Sequence, residues 1–344
     1  MLPLRILIVS DAWHPQVNGV VRTLSMVADE LCAMGHVIEV LGPDRFPTID
    51  MPTYSSIKLA LFPGRRLSKM IEAFRPEALH IATEGPLGWA ARRWALRKGF
   101  PFSTSFHTKF AEYLHARTRI PLGLGYALMR LFHNRAAATL VATGSLRKEL
   151  AGRGFTRLLP WTRGVDLTRF QPGSDYPLVD DPFADLPRPV FLYVGRIAVE
   201  KNLEQFLKLD LPGTKIVVGD GPQRHELERA HPEARFLGER HGAGLARAYA
   251  GADVFVFPSV TDTFGLVLLE SLACGTPIAA FPVTGPADIL EGAAAGVGAL
   301  DEDLRAAAMR ALSGDRAACR RHAERFSWRA CAEAFLASLI RLPA

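Results

Sequence analysis

Short runs of apolar and β-branched residues alternate with amphipathic stretches along the whole chain. The runs read LRILIVS, HVIEVLG, ALHIAT, FSTSFH and TLVATG in the first half, and VFLYVG, TKIVVGDG, ARFLG, VFVFPS and PIAAFPV in the second. Runs without a polar face are typical of strands buried on both sides of a parallel sheet, with helices between them. The pattern therefore predicts an α/β protein built from parallel sheets.

A proline-rich segment at residues 169–190 separates the two halves. It holds five prolines, at positions 172, 177, 182, 187 and 189, and so many fixed backbone angles exclude a helix or a central strand. Each half begins with a hydrophobic strand, a loop containing glycine and a helix. We expect two Rossmann-like domains, residues 1–172 and 173–327, facing each other across a cleft at the carboxyl ends of their strands.

The last residues predict a helix that belongs with the first domain. Ser327 is a suitable N-cap for it. The apolar residues that follow at helical spacing are Trp328, Cys331, Phe335 and Leu339. A terminal helix with one apolar face commonly docks on another surface, so we expect residues 328–344 to cross back and complete the N-terminal domain.

The composition is that of an ordinary soluble globular protein. The chain has 344 residues, of which 49% are hydrophobic and 22% charged, and its apolar runs are shorter than the ~20 residues of a membrane-spanning helix. Strand-like sequence follows Met1 directly, and the four cysteines fit neither a disulfide framework nor a zinc site. These features predict a cytoplasmic protein without a signal peptide.

The charge is unevenly distributed. Residues 1–172 contain 23 Lys and Arg against 12 Asp and Glu, a balance of +11, and the remaining residues contain 18 against 23, a balance of −5. Basic and apolar residues are mixed in the segments 58–75, 89–100 and 117–135, a composition suited to an anionic membrane surface. Charge alone leaves nucleic acid, acidic lipid and a phosphorylated substrate open as partners.

The most specific motif is PSVTDTFGLVLLESLACGTPIAA, residues 258–280. Its strand leads into a helix that we expect to begin near Thr263 or Phe264. A helix that begins at the carboxyl edge of a sheet offers free backbone N–H groups to a phosphate. The N–H groups available here belong to Gly265, Leu266 and Val267.

Two carboxylates flank this helix start. Asp262 lies just before it and Glu270 lies about two turns along, so the pair can hold different parts of one extended ligand. Two hydroxyl-rich rings joined by a diphosphate fit that description. Two plainer interpretations stay open at this point, with Asp262 as a helix cap and Glu270 as an exposed helix glutamate.

Two cations follow a buried strand in FLYVGRIAVEKN. Arg196 stands at the end of the strand and Lys201 near the start of the next helix, so both side chains can reach the space above the sheet edge. Together they can neutralise a diphosphate leaving group without a metal ion. Taken singly, either residue would more often be a solvated surface charge.

In the first half, Gly19 precedes a helix in the loop SDAWHPQVNGVVRTL. The loop lacks the three-glycine dinucleotide fingerprint, but a glycine lets the backbone approach a ligand closely. His107 ends the strand PFSTSFH, where it can hydrogen-bond a sugar hydroxyl or take part in proton transfer. His14 is a weaker candidate. Asp301 and Asp303 are expected to begin a late helix, and no metal site is predicted.

Taken together, VGRIAVEKN, GDGP, YAGADVFVFPS and TDTFGLVLLESLACGTPIAA resemble the retaining glycosyltransferases of family 4. The likeness covers nearly the whole chain and implies two facing Rossmann-like domains, the glycosyltransferase B fold. DAWHPQVNGVVRTL, TEGPLG and SFHTKFAEYL are most similar to the subgroup that glycosylates lipid acceptors. Its members include diacylglycerol sulfoquinovosyltransferases and mannosyltransferases acting on glycolipids or phosphatidylinositol.

The resemblance implies a donor site in the C-terminal domain. Arg196 and Lys201 would bind the diphosphate of a nucleotide sugar, and Glu270 would bind the nucleotide ribose. The amides from Phe264 to Val267 would contact phosphate and sugar.

The remaining residues would complete that site. Gly19 would lie against the diphosphate, and His107 would hydrogen-bond the transferred sugar. Gly219 and Gly221, in GDGP, would support the nucleotide pocket. Asp262 stands where the family usually has Glu, and one methylene fewer shortens its reach to a sugar hydroxyl.

The resemblance also implies a reaction. A hexosyl group would pass from the nucleotide-diphosphate sugar to a lipid, such as diacylglycerol or a glycolipid, held by the N-terminal domain, with retention at the anomeric carbon. The leaving phosphate oxygen would help to deprotonate the acceptor. Catalysis would come from positioning and from stabilising the departing diphosphate, with no metal or cofactor. The basic N-terminal domain would attach peripherally to the inner face of the cytoplasmic membrane.

Three alternatives are open at this stage. The first is a cytosolic glycosyltransferase of lipopolysaccharide or capsule assembly. The second is a nucleotide-binding regulatory protein or a nucleic-acid-binding protein, although the sequence has no helix-turn-helix, aromatic RNA-binding motif or zinc module, so no nucleic-acid partner is predicted. The third is a nicotinamide-dependent dehydrogenase, which the missing glycine fingerprint disfavours.

Overall fold

Two parallel sheets organise the protein, each in its own compact unit. The computed structural model describes residues 3–16, 18–51, 54–112, 115, 119–173, 183, 185–262 and 264–340, without the side chains of residues 51 and 54–57. The first unit comprises Met1–Arg163 with Trp328–Ala344, and the second comprises Gly164–Ser327. The predicted α/β class with two Rossmann-like domains is confirmed. Within the described ranges, every helix is too short or too polar to span a bilayer.

The described part of the first unit includes eight strands and, before residue 164, five α-helices. The strands are β1 Arg5–Val9, β2 Val37–Leu41, β3 Thr48–Met51, β4 Tyr54–Ala60, β5 Ala78–Ile81, β6 Ser103–Phe106, β7 Ala138–Val141 and β8 Leu158–Pro160. The helices are α1 Gly19–Ala33, α2 Gly64–Phe74, α3 Pro86–Lys98, α4 Leu122–His133 and α5 Gly144–Gly152. Six strands form the parallel sheet in the order β2-β1-β5-β6-β7-β8, and β3 pairs with β4 in antiparallel fashion.

The chain turns back within this sheet after β2. Because β2 and β5 lie on opposite sides of β1, the strand order reverses between β1 and β5. Strand β1 is buried as its apolar run predicts, and Leu7 and Val9 pack with Leu67 and Ile71 of α2 in one core. The loops after β1 and β5 are therefore held next to each other at the carboxyl edge.

The described residues of the second unit form six strands and seven α-helices. The strands are β9 Val190–Val194, β10 Thr214–Val218, β11 Arg235–Phe236, β12 Val254–Phe257, β13 Ile278–Ala280 and β14 Gly298–Leu300. The helices are α6 Leu203–Leu207, α7 Arg224–Ala230, α8 Gly242–Gly251, α9 Leu266–Ala273, α10 Thr284–Leu290, α11 Leu304–Ala311 and α12 Arg316–Ala323. The strand order is β11-β10-β9-β12-β13-β14, all parallel, so this sheet reverses between β9 and β12.

The second unit begins at Gly164, nine residues before the predicted start at residue 173. Val165 N donates to Phe326 O at 3.2 Å, and the Phe170 ring lies 6.0 Å from the Tyr249 ring, centroid to centroid. These contacts tie the segment before the prolines to the second core, so composition alone places the junction too late.

Helix α13, Trp328–Ser338, is the last element of the chain and part of the first unit. Trp161 Nε1 donates to Cys331 O at 3.1 Å, and the Phe335 ring lies 5.3 Å from the Trp161 ring and 4.8 Å from the His80 ring. The apolar positions that predict this helix are all buried. The terminal helix therefore completes the core of the first unit.

Candidate active site

The loops after β9 and β12 carry the charged residues of the second unit's site. Open parallel sheets bind ligands in the crevice where the strand order reverses. Arg196 follows β9, and Lys201 ends the short 3₁₀ turn Val199–Lys201. Asn202 Nδ2 donates to Pro258 O, just after β12, at 3.1 Å. The two loops are thus joined directly at the predicted ligand edge.

Lys201 and Asp262 form an ion pair at this reversal. Nζ of Lys201 lies 2.5 Å from Oδ1 of Asp262, and the two side chains are only 24% and 17% exposed. Oδ2 of Asp262 is buried and has no hydrogen-bond partner among the described residues. Asp262 does not cap α9, whose start has no side-chain cap. One oxygen therefore holds the ammonium, and the other keeps an unused capacity to accept a hydrogen bond.

Glycines fix the backbone of the Arg196 loop. A Cβ at Gly219 would lie 1.9 Å from Gly195 O, and a Cβ at Gly221 would lie 2.3 Å from Ile197 O. Only residues without side chains allow two loops to approach so closely. The GDGP turn therefore supports the backbone that carries Arg196.

Helix α9 begins at Leu266, later than the sequence predicts, because Gly265 adopts a left-handed conformation with φ of 90°. Phe264 is buried, and Thr263 lies outside the described residues. Among the described residues, none accepts a hydrogen bond from the amides of Gly265, Leu266 and Val267. A helix start offers such N–H groups to an anion, and this one closely follows the ion-paired Asp262 in the chain.

Glu270 is buried in α9, so the interpretation as an exposed helix glutamate is wrong. Only 3% of the residue is accessible, and Oε2 accepts a hydrogen bond of 3.0 Å from the Tyr249 hydroxyl of α8. A buried carboxylate is costly unless hydrogen bonds or charges offset it. A carboxylate held in one orientation is suited to accept hydrogen bonds from ligand hydroxyls.

Asp11 lies just after β1, where the strand order of the first sheet reverses, and it is not singled out in the sequence analysis. Its carboxylate accepts hydrogen bonds from Leu87 N at 2.8 Å and Gly88 N at 3.1 Å, at the start of α3, and from Thr83 Oγ1 at 3.0 Å. A Cβ at Gly85 would lie 2.4 Å from Asp11 Cγ. Burial raises the pKa of Asp11 to about 6, against the lowering effect of these hydrogen bonds. The glycines of TEGPLG were the one sequence signal of this close approach.

Asp11 should make the first unit less stable as the pH rises. Its folded pKa is about 6 and its ordinary value 3.8, so the folded state binds the proton more tightly than the unfolded state. The free energy of unfolding, relative to Asp11→Asn, should fall by at most about 3 kcal/mol between about pH 4 and 6.5. Urea unfolding of both proteins across this range measures the difference, and parallel pH curves would contradict it.

Gly19 is the first residue of α1, and Asn18 is the N-cap of that helix. Asn18 Oδ1 accepts hydrogen bonds of 3.0 Å from both Val20 N and Val21 N. The two amides are thereby satisfied within the first unit, and Gly19 itself is exposed. A ligand that approaches this helix would meet the Gly19 backbone rather than the amides beyond it.

His107 follows β6 and is half-buried. Its Nε2 lies 2.8 Å from Ser105 Oγ, and its Nδ1 lies 3.5 Å from Nη2 of Arg163. Burial, together with Arg163, His80 and His133, holds the pKa of His107 well below its usual value. The imidazole is therefore neutral near pH 7 and a weak base, which favours hydrogen bonding over proton transfer.

The other sequence candidates lie outside these loops or have no role in them. His14 is exposed in the loop between β1 and α1. Asp303 caps α11 by accepting a hydrogen bond from Arg305 N, and Asp301 pairs with Arg310 at 2.7 Å. Among the described residues, no group of three or more His, Cys, Asp and Glu side chains is arranged to hold a metal ion.

Two family models match this chain. Glycosyltransferase Family 4 matches residues 17–169, and Glycosyl transferases group 1 matches residues 188–315. A GDP-mannose-dependent alpha-mannosyltransferase of Mycolicibacterium smegmatis is 32% identical over 315 residues, covering 83% of this chain and 82% of the relative. The chain belongs to the family 4 glycosyltransferases.

The chain is also similar in sequence to glycosyltransferases of the lipid-glycosylating subgroup that its motifs indicate. Sulfoquinovosyl transferase SQD2 of Arabidopsis thaliana is 33% identical, over 73% of this chain and 51% of that protein. Alpha-monoglucosyldiacylglycerol synthase of Acholeplasma laidlawii is 27% identical, over 80% of this chain and 79% of that protein. The predicted resemblance is confirmed.

Solved structures show the same fold. Sucrose-phosphate synthase of Thermosynechococcus elongatus superposes with a TM-score of 0.72 at 20% identity, over 96% of this chain and 97% of that chain. The Anabaena protein HepE, crystallised with UDP and glucose, gives a TM-score of 0.70 at 14% identity, over 97% of this chain and 98% of that chain. At such identities the likeness shows the two-domain glycosyltransferase fold.

Proposed function

We propose that the protein is a retaining hexosyltransferase that moves a sugar from a nucleotide diphosphate to a lipid acceptor without a metal or cofactor. One observation carries the donor half of this proposal. At the reversal of the second sheet, a shielded ammonium, a carboxylate oxygen with no hydrogen-bond partner among the described residues and the first amides of α9 lie on the two adjoining loops. Cations and amides suit a diphosphate, and the carboxylate oxygen suits a sugar hydroxyl.

The second unit is proposed to bind the donor. Lys201 and Arg196 would bind the diphosphate together with the amides at the start of α9. Two cations and oriented N–H groups offset the charge that develops on a departing diphosphate, which is the role a metal ion has in other enzymes. Glu270, held by Tyr249, would accept hydrogen bonds from the ribose hydroxyls.

Asp262 is proposed to contact the transferred sugar through Oδ2. Its other oxygen is committed to Lys201 at 2.5 Å, so the carboxylate cannot rotate freely. Burial raises the pKa of the neighbouring Tyr193 hydroxyl, and the charges of Asp262 and Glu200 add to this effect. The sugar would thus meet a fixed negative group, suited to an oxocarbenium-like transition state.

The leaving phosphate oxygen is proposed to accept the acceptor's proton. His107 is a weak base because its pKa is held low, so it is not suited to take that proton. A phosphate oxygen on the same face as the acceptor would give retention of configuration. The side chain of His107 would instead hydrogen-bond the sugar.

A donor panel tests the proposal. UDP-, GDP- and ADP-sugars are each mixed with the protein, and thermal unfolding is followed. A bound donor at about 100 times its Kd should add about 2.7 kcal/mol of stability and raise the Tm by several degrees. Because five relatives are named as GDP-mannose-dependent, GDP-mannose is the first donor to try. No stabilisation by any donor would contradict the proposal.

Product analysis then tests the acceptor. The best donor is incubated with detergent-solubilised diacylglycerol, phosphatidylinositol or lipopolysaccharide-core oligosaccharide, and products are identified by mass and by anomeric configuration. A glycosylated lipid with the donor's anomeric configuration is the expected result. Transfer only to the oligosaccharide would replace the lipid acceptor with the alternative of lipopolysaccharide assembly.

An exposed leucine face on α4 supports the membrane part of the proposal. The leucine face consists of Leu124, Leu128 and Leu131, which are 63%, 46% and 57% exposed and lie at positions i, i+4 and i+7. Arg92 of α3 donates to Leu131 O at 2.6 Å, so the arginine-rich α3 lies beside α4. Apolar residues next to cations are suited to the surface of an anionic bilayer.

A groove on α3 adds cations next to the leucine face. It is lined by Trp89, Arg92, Arg93, Leu96 and Arg97. Arg92 Cζ lies 5.1 Å from the Trp89 ring, which leaves the more exposed arginines to meet lipid headgroups. This arrangement would place the first unit on the membrane that contains the acceptor.

Replacing all three leucines of the leucine face with serine should reduce binding to phosphatidylglycerol vesicles at least about tenfold. Each exposed leucine loses the apolar surface it would bury in the bilayer. Vesicle sedimentation measures the change, and Met309→Ser, which alters an exposed apolar residue of α11, is the matched control. Wild-type protein that shows no salt-sensitive binding to these vesicles would contradict peripheral attachment.

A further inference from the structure

A line of polar side chains runs along the carboxyl edge of the first sheet and ends at Arg163. His80 of β5 lies with Nδ1 2.9 Å from Ser103 Oγ and with Nε2 3.1 Å from Ser105 Oγ, both on β6. Ser105 Oγ lies 2.8 Å from His107 Nε2, and His107 Nδ1 lies 3.5 Å from Arg163 Nη2. The imidazole of His107 is therefore held between a hydroxyl and a guanidinium.

Arg163 is a buried cation without a carboxylate partner among the described residues. It is 4% exposed, and Nη1 donates to Trp161 O at 2.6 Å and to Thr162 O at 3.0 Å. Its Cζ lies 4.1 Å from the Trp161 ring. Burial lowers the pKa of Arg163 to about 10, which leaves the group charged at neutral pH. Two backbone carbonyls and the face of the Trp161 ring thus stabilise the guanidinium in place of a carboxylate.

The guanidinium determines which nitrogen of His107 carries the proton. A guanidinium only donates hydrogen bonds, so Nδ1 must accept and the ring proton must lie on Nε2. Nε2–H then donates to Ser105 Oγ, and the Ser105 hydroxyl donates to Ala82 O at 3.2 Å. If Nδ1 also carried a proton, its N–H group and the Nη2–H group of Arg163 would be two donors facing each other. One tautomer therefore satisfies the network.

The neighbouring imidazoles of His80 and His133 act on His107 in the same direction as Arg163. His80 faces it from β5, and burial, with Arg163 and His133, lowers the pKa of His80 to about 3. His133 of α4 lies 2.9 Å from Glu84. From α13, Cys331 faces Arg163, but burial raises the pKa of its thiol to about 11, so it supplies no negative charge at neutral pH.

We propose that Arg163 is a positioning residue, which keeps His107 neutral and in the Nε2–H tautomer so that Nδ1 can accept a hydrogen bond from a hydroxyl of the hexose. This inference rests on the proposed function. Nδ1 has one lone pair, and because the 3.5 Å contact to Arg163 is long, a sugar hydroxyl that approaches more closely can replace the guanidinium as the donor there. A protonated His107 would offer no acceptor there, so transfer should fail as His107 gains a proton.

The Arg163→Met variant tests this assignment. The pH profile of kcat/KM is measured for wild type, Arg163→Met, Arg163→Lys and the control Arg147→Met, which removes an exposed arginine of α5. Without the cation His107 becomes a stronger base, so the acidic limb should move to higher pH by about one unit or more in Arg163→Met. Arg163→Lys and the control should keep the wild-type limb. An unshifted limb in Arg163→Met, with a merely lower kcat, would overturn the proposal.

A spectroscopic measurement on the wild type covers the case in which Arg163→Met does not fold. The ¹⁵N chemical shifts of His107, assigned through His107→Gln, should show a proton on Nε2 and none on Nδ1 between pH 6 and pH 8. A proton on Nδ1, or a doubly protonated ring at pH 6, would overturn the assignment. This readout needs no substrate, so a failed donor panel would remove the proposed function without deciding the role of Arg163.

Discussion

Replacing Lys201 with alanine is expected to lower kcat/KM for glycosyl transfer by about a hundredfold to a thousandfold. The substitution removes the ammonium that lies 2.5 Å from Asp262 Oδ1 and leaves that carboxylate uncompensated where the diphosphate is proposed to bind. The donor then loses a charge-assisted hydrogen bond and meets an additional negative charge. Steady-state kinetics with varied donor, and calorimetry with the nucleoside diphosphate, measure the two effects.

Three further variants define the origin of that loss. Lys201→Arg keeps the charge and should retain more activity than the alanine variant. Combining Lys201→Ala with Asp262→Asn removes the repulsion and should recover part of the nucleotide affinity, which a double-mutant cycle reports as coupling. Lys208→Ala alters an exposed lysine that pairs with Glu204 and should leave turnover unchanged. Wild-type turnover in Lys201→Ala would exclude this residue from the site.

Glu270→Gln is expected to weaken binding of the nucleoside diphosphate by about tenfold to a hundredfold. Glutamine has nearly the same volume and can still accept the hydrogen bond from Tyr249, which spans 3.0 Å to the carboxylate. It removes the negative charge that would strengthen two hydrogen bonds from the ribose, each worth about 1.5–3 kcal/mol with a charged partner. Calorimetry gives the affinity, and thermal unfolding shows that the fold is retained.

A modified ligand separates ribose contact from a general loss of structure. A 2′,3′-dideoxynucleoside diphosphate has no ribose hydroxyls, so it should bind wild type and Glu270→Gln with nearly equal affinity. Tyr249→Phe is the matched control, because it removes the hydroxyl that orients Glu270 and keeps the charge. If Glu270→Gln weakens the dideoxy ligand as much as the normal one, the carboxylate does not contact the ribose.

Local sequence patterns predict the fold well where they reflect burial. The five residues Val190–Val194 form a fully buried strand, as their apolar run indicates. The apolar pattern does not predict strands β8 and β14, because each has only three residues and lies at a sheet edge. The pair β3 and β4 lies outside both main sheets, so its side chains need not follow their alternation.

Site residues are predictable from sequence only when the motif itself contains the signal. Lys201 and Glu270 lie in motifs with a recognisable order, although the burial of Glu270 depends on Tyr249, which lies 21 residues earlier. The role of Asp11 is not evident from its own motif, because its partners are backbone amides 76 and 77 residues away, and only the glycines of TEGPLG indicate the close approach. Arg163 cannot be recognised from its own motif either, since its importance comes from His107, which lies 56 residues earlier. Long-range contacts of this kind require the folded chain.

Helix α13 has a consequence for how the protein is made. The first unit needs this helix to cover Trp161 and His80, but the whole of Gly164–Ser327 precedes it in the chain. On the ribosome, which adds roughly 5–20 residues per second, the earlier unit must wait about ten seconds or longer with part of its core open to water. The unit that is translated first is therefore the one that is finished last.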